Sequence, residues 1–306
     1  RRCLVGSEMC IRDRYNQELP SIYKRYAIQN VFRNEKPSNG RYREFLQGDF
    51  DIIGNVNFAQ ANAELCNLIS TTLKDIGLNK DQFTINVSNR KIVQGLIDDL
   101  KISKDKQLKV IRAIDKLDKP GFGSKGVEDL LKKERKDQSG AVTKGADLTN
   151  DQVAKILNFL KMKDLKELKE NLKNPLSQEG IKELEEVFEV ISYGSNSNQV
   201  KTNFTIVRGL AYYSDFILET NLNFKVTNNK GKRVDLGSIC SGGGYAKLIS
   251  RFKGVDVPGT GISFGIDRLL FALIQLDQIK IEDQKPVLVC VMAVSYTHLT
   301  LPTNSG

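Results

Sequence analysis

The segment FRNEKPSNGRYREFLQGDFDIIG, Phe32 to Gly54, limits what this chain can fold into more than any other stretch. It reads as two strands joined by a polar loop, with Pro37, Asn39 and Gly40 supplying the turn chemistry. Arg33 ends the first strand, Arg41 stands at the loop exit and Arg43 starts the second strand. Side chains alternate faces along a strand, so Gln47, Asp49 and Asp51 point to one side together with Arg43 and Phe45. A face holding arginine, glutamine and carboxylates is a poor core. It is either the solvated outside of a hairpin or the floor of a site for a polar substrate. Arginine keeps its charge at any working pH, and its rigid fork of donors is shaped for phosphate or carboxylate.

The rest of the chain divides by texture. A helix is expected from about Asn57 to Ile76, with Phe58, Ala61, Leu65, Leu68, Ile69 and Ile76 on one stripe, Asn57 as N-cap and Gly77 as stop. FTINVSN, Phe83 to Asn89, reads as a strand. From about Arg90 to Gly194 helices rich in lysine and glutamate follow. One carries Val153, Ile156, Leu157, Leu160, Leu165, Leu168 and Leu172 at near-helical spacing. Another starts after Pro175 and Ser177 and carries Ile181, Leu184, Val187, Phe188 and Ile191. Such stripes are ordinary core faces. Glycines 121, 123, 126, 140 and 145 are expected to mark loops. Sheet resumes near Asn203, with a strand within Asn203 to Thr220. Leu222 to Val226 and Arg233 to Ile239 read as a hairpin turning at Asn228 to Gly231. Gly242, Gly243 and Gly244 are expected to open a short helix through Leu248, and Gly261 to Ile266 leads into a last helix.

Composition narrows the classes without choosing one. The length of 306 residues allows one to three domains. No apolar run is long enough to span a bilayer and no signal peptide is recognisable, so no membrane partner and a cytoplasmic location are expected. Lys+Arg 46 against Asp+Glu 37 gives a net charge of +9, which favours a polyanionic partner. Cysteines 3, 10, 66, 240 and 290 lack paired ligand spacing, and the single histidine is His298. Neither a protein-held metal nor histidine-dependent catalysis is expected.

Three ordered segments carry a family resemblance. Phe32 to Gly54 resembles motif 2 of class II aminoacyl-tRNA synthetases in its histidyl form, in which FR-x-E, GRYREF and Q-x-x-x-E/D recur in this order. VRGLAYYSDFILET, Val207 to Thr220, is similar to the histidine-binding signature of those enzymes. SICSGGGYAKLI followed by PGTGISFGIDRLLFAL resembles their glycine-rich loop and motif 3. The resemblance runs from about Tyr15 to Val294. It implies an α+β fold, an antiparallel sheet flanked by helices with a helical insertion domain. It also implies activation of histidine with ATP to histidyl-adenylate and pyrophosphate, then transfer to tRNA(His), by a homodimer using Mg²⁺ with the β- and γ-phosphates.

On the family's pattern Arg33 holds the α-phosphate, Glu35 places the adenine amino group, Arg41 belongs to the ATP set and Arg268 holds the γ-phosphate. Arg208 matches the arginine that sits at the reacting α-phosphate and carboxylate. Gln47 and Asp51 match positions that grip histidine, and Tyr212, Tyr213 and Tyr245 match the lining of the same pocket. Lys132, Lys133, Arg135 and Lys136 could serve where the insertion domain meets the tRNA acceptor arm, but taken singly each reads first as part of a solvated face. The chain departs from the pattern at Ala211, where an acid is usual, and at Gly244 and Ala246, where arginine and aspartate are usual. If the last two pair in other members, their joint loss leaves no orphan charge, and arginine restored alone at 244 is expected to destabilise the fold.

The implied organisation is a non-native tail over 1–14, a first part of the catalytic core over 15–89 and the insertion over 90–194. The second part of the core follows over 195–283, then the start of an anticodon-binding domain over 284–294 and a second non-native tail over 295–306. Both tails resemble translated sequencing-adapter fragments, and motif 1 is not found upstream, so the chain is expected to be an interior piece of a longer enzyme. Two other classes share the core. They are the non-catalytic regulatory subunit of ATP phosphoribosyltransferase and a pseudo-enzyme domain of a sensing kinase. The arginine set and the strand PVLVCVMAV favour the synthetase.

Overall fold

The computed structural model describes residues 20–34, 37–38, 40–117, 122–136, 142–194, 197–207, 213–227, 231, 233–234, 236–245, 257–276 and 279. Both tails and the PVLVCVMAV segment lie outside them. Strands β1 (Ile22–Phe32) and β2 (Glu44–Gly54) form the long antiparallel hairpin, paired from Ile22–Gly54 to Phe32–Glu44. Helix α1 (Phe58–Asp75) follows, started by the Asn57 side chain accepting from Gln60 N and stopped before Gly77 at φ 100°. Strand β3 (Phe83–Asn89) ends in Asn89, which caps α2 (Arg90–Asp99) by accepting from Lys91 N. Then come α3 (Lys104–Ile114), α4 (Gly123–Lys132), the hairpin β4 (Glu134–Lys136) with β5 (Val142–Lys144), α5 (Asn150–Phe159), α6 (Leu165–Asn171) and α7 (Pro175–Ser192). The chain returns through β6 (Val200–Thr202), β7 (Phe216–Leu222), the small pair β8 (Val226–Thr227) and β9 (Arg233–Val234), β10 (Cys240–Gly244), β11 (Gly259–Gly265) and α8 (Ile266–Gln275).

The principal sheet has the order β1-β2-β11-β10-β7-β3-β6 and is antiparallel except where β6 lies parallel to β3. Strand period 2 gives its faces opposite characters. On one face Ile52, Phe83, Ile85, Val87, Phe216, Leu218, Ile262 and Phe264 join a core with helix residues such as Leu65, Ile69, Ile92, Ile181 and Leu184. Phe50 meets Phe264 edge-on at 5.9 Å, and Phe58 meets Phe216 at 6.4 Å. The other face carries a polar row, Asn86–Glu219–Ser241–Ser263–Asp49, each residue opposite the next across five strands. A sheet with one greasy and one polar face buries the first and offers the second to a ligand. The edge strand β1 leaves Tyr26, Ile28 and Phe32 exposed.

Several expectations are corrected. Residues 153–172 are not one helix: the chain leaves α5 at Leu160 and re-enters α6 at Asp164, whose side chain caps by accepting from Glu167 N. The apolar spacing carries across that break because both helices face one core, including Val153, Ile156 and Leu168. The next helix begins at Pro175 itself, capped by Asn174. Gly123 and Gly126 lie within α4 rather than in loops; Gly145 does stand in a loop, its N–H donating to Lys133 O, and Gly121 and Gly140 lie outside the described residues. Ile76 is exposed rather than on the buried stripe. Leu222 ends β7, so the β8–β9 hairpin is shorter than expected. Gly242, Gly243 and Gly244 form a strand, not a helix opening; the expected helix beyond Tyr245 lies outside the described residues. The turn at Gly40 has φ 69°, as turn chemistry requires, and a Cβ there would lie 2.7 Å from Leu236 Cδ2.

Candidate active site

The polar face opens into a cavity of about 380 Å³ lined by Arg33, Arg41, Gln47, Tyr213 and Arg268 among the residues singled out from the sequence. Local structure explains how these distant residues meet. Arg33 N donates to Arg43 O at 2.8 Å, and Ser38 and Arg41 exchange backbone bonds of 2.8 and 2.9 Å. The loop is thereby folded back over the start of β2. The Arg33 guanidinium lies 5.2 Å from the Phe45 ring centroid, a flat cation–π seat. Arg41 packs over Gly237, where a Cβ would stand 2.9 Å from Arg41 Nη2. Arg41 Nε is buried without a hydrogen-bond partner, a donor left over for an acceptor in the cavity.

Arg268 stands in the first turn of α8 and donates through Nη1 to Ser238 O at 2.9 Å. Its neighbour Asp267 accepts from Leu46 N at 2.6 Å, which pins the start of the helix to β2. A helix N-terminus beside three guanidiniums makes this end of the cavity anion-seeking. Cys240 also lines it, but its thiol is pushed well above the usual range by burial first, then by the neighbouring Cys66 and Asp49 charges. It stays protonated and offers no nucleophile.

Farther along β2 the floor becomes a set of acceptors. Tyr245 OH donates to Asp51 Oδ1 at 2.5 Å. Gly261 stands opposite Asp51 on β11, and a Cβ there would lie 2.2 Å from Asp51 Oδ1. Gln47 Nε2 donates to Asp49 Oδ1 at 2.7 Å and to Ser263 Oγ at 3.2 Å, while Ser263 Oγ donates to Asp49. The structure therefore brings Arg33, Arg41, Gln47, Tyr213 and Arg268 to one cavity and sets the Asp51–Tyr245 pair on the same sheet face. Glu35, Arg208, Tyr212, Ala211 and Ala246 lie outside the described residues. Among the described residues no cluster of three His, Cys, Asp or Glu side chains is arranged to hold a metal, and no helix is long and apolar enough to cross a membrane.

Sequence reasoning missed Tyr42, Ser238, Ser241, Ser263 and Asp267 in the lining. Ser263 was open to detection as the one polar side chain facing the floor from β11, two residues from Gly261. The others depend on which strands become neighbours.

Comparison with known proteins adds a second line of evidence. The sequence profile described as "Histidyl-tRNA synthetase" matches residues 13–269. A histidine–tRNA ligase of Pelagibacter ubique is 73% identical over 281 residues, covering 92% of this chain and 60% of the relative. One of Rhizobium meliloti is 40% identical over 294 residues, covering 92% of this chain and 57% of the relative. The crystal structure of histidyl-tRNA synthetase from a Nostoc species superposes with TM-score 0.71 at 28% identity, over 89% of this chain and 59% of that one. An ATP phosphoribosyltransferase regulatory subunit/histidyl-tRNA synthetase from Bacillus halodurans shares the fold, at TM-score 0.65 and 20% identity. The chain spans about 60% of the length of its most similar relative among these.

Proposed function

The chain belongs to the histidyl-tRNA synthetase family, and from that premise we propose that it is part of a histidine–tRNA ligase. It activates histidine with ATP to histidyl-adenylate, releases pyrophosphate and passes the histidyl group to tRNA(His), which frees AMP. The observation that carries this reading is the cavity where Arg33, Arg41 and Arg268 converge beside an acceptor-rich floor. A carboxylate attacking the α-phosphorus brings negative charge onto negative charge. Catalysis of such a step is positioning and neutralisation, the work of fixed guanidiniums.

In this reading Arg33 meets the α-phosphate, Glu35 the adenine, and Arg41 and Arg268 the rest of the bent triphosphate. Arg208 bridges the α-phosphate and the substrate carboxylate. Asp51, held by Tyr245, accepts the ring N–H of histidine, with Tyr212 and Tyr213 alongside. A substrate without that N–H leaves a carboxylate unpaired, which is how polar pockets reject near-isosteres. Mg²⁺ fits as the counter-ion that ATP carries on its β- and γ-phosphates. Such an ion keeps several waters and needs few protein ligands, so the metal-cage clusters missing among the described residues are not required. Residues 90–194 form the insertion that meets tRNA, and the exposed apolar side of β1 supports a homodimer at full length. A cytoplasmic location follows from the tRNA substrate.

The test is histidine-dependent ATP–pyrophosphate exchange on the chain extended to the length of its relatives, beside Arg208→Ala and Arg268→Ala. Each variant is expected to lose about 10²–10³ in rate, the usual penalty for removing a transition-state donor. Histidine binding without exchange would instead favour a regulatory role.

A further inference from the structure

We propose that Asp49 is a positioning residue that fixes the polarity of the Gln47 amide, and so makes the site select the substrate's α-ammonium group. The proposal rests on the family reading given above.

An amide has a donor end and an acceptor end, and its surroundings decide which is presented. Asp49 is acceptor-only when ionised, so the end of Gln47 turned towards it has to be the NH₂. Nε2 is held twice, by Asp49 Oδ1 at 2.7 Å and by Ser263 Oγ at 3.2 Å. Ser263 in turn donates to Asp49, so the three side chains lock one another across β2 and β11, where Asp49 and Ser263 are register partners. The carbonyl Oε1 is the end left for the cavity that Gln47 lines. Without Asp49 the amide is free to turn and present its NH₂, which an ammonium repels.

Spacing agrees with this assignment. Gln47 and Asp51 lie four positions apart on the strand, about 13 Å along β2. A histidine with one hydrogen bond at either end fills that length: ring N–H on Asp51, ammonium on Gln47 Oε1. Asp49 touches no substrate atom in this scheme; its negative charge acts only through the amide.

The experiment measures, by calorimetry on the chain extended to the length of its relatives, binding of L-histidine and of 3-(imidazol-4-yl)propionate, which lacks the ammonium. The unsubstituted protein is expected to prefer histidine by about tenfold or more, the worth of one charge-assisted hydrogen bond. In Asp49→Leu the preference for histidine narrows several-fold while the analogue's affinity is unchanged. Asp49→Asn, whose amide can offer Gln47 either its oxygen or its NH₂, loses much of the preference, because the polarity is no longer imposed. Ser263→Ala, which removes one anchor and leaves the carboxylate, narrows the preference and serves if Asp49→Leu does not fold. Parallel loss of both ligands in Asp49→Leu, an Asp49→Asn that keeps the full preference, or an unchanged preference in Ser263→Ala would overturn the proposal. Failure of the unsubstituted protein to bind histidine at all would overturn the family reading and this proposal with it.

Discussion

Two glycines show how closely the site is fitted around its carboxylates. At Gly261 an added methyl would lie 2.2 Å from Asp51 Oδ1 and 2.9 Å from Phe50 O. Neither the bonded carboxylate nor the backbone of a central strand moves freely. Gly261→Ala is therefore expected to destabilise the fold by about 1–3 kcal/mol in urea unfolding and, on the proposed function, to raise the histidine KM about tenfold in exchange kinetics. At Gly244 a Cβ would stand 1.7 Å from Asp215 Oδ1, an oxygen that already accepts from Phe216 N at 2.7 Å. Gly244→Arg should lower the melting temperature by several degrees; an unchanged melting curve would contradict the packing around Asp215. The sequence pointed to trouble at 244 through a missing charge pair, whereas the structure supplies a steric cause.

At the scale of elements, α2 and α7 cross at small residues. A Cβ on Gly95 would lie 2.3 Å from Ser177 Oγ and 2.7 Å from Ser177 N, and Ser177 Oγ itself donates to Ile92 O at 2.9 Å. Gly95→Ala should force the helices apart at a cost of about 1–3 kcal/mol in chemical denaturation, despite the better helix propensity of alanine. Lys91 reinforces the same crossing through Glu179 at 2.8 Å and through Glu183. Elements with local signals were legible in advance. The helix after Asn57 and the strand Phe83–Asn89 appear where caps and period placed them. The glycine run 242–244 was not, because a glycine needed for close strand approach looks in sequence like one needed for a turn. A Cβ on Gly242 would meet Gly261 O at 2.1 Å, a contact no local pattern encodes. For the same reason the arginines of the hairpin stood out, while the Asp49–Ser263 bond did not. It joins residues 214 apart.

For the molecule as a whole, the buried thiol of Cys66 sets a limit on alkaline tolerance. Burial pushes it from the ordinary 9.0 up to about 12. The folded state thus keeps a proton that the unfolded chain gives up. Its contribution is full below about pH 9 and is lost as pH rises towards 12, at about 1.4 kcal/mol per unit. The stability difference between the unsubstituted chain and Cys66→Ala should therefore shrink steadily between pH 9 and pH 10.5 in equilibrium denaturation. A constant difference would mean that Cys66 reaches water.

The bond from Leu46 N to Asp267 Oδ2 joins residues 221 positions apart, and Tyr245 reaches back 194 positions to Asp51. The floor is thus made of the opening and closing stretches of the described chain, with the α2–α7 helices spelled out between them. Contacts of such long range form late, after loop closure has been overcome. A chain emerging from the ribosome carries its arginine-bearing hairpin long before the strands that complete the floor exist. Completion of the cavity becomes the last act of folding, and any ligand held there would report that both halves have found each other.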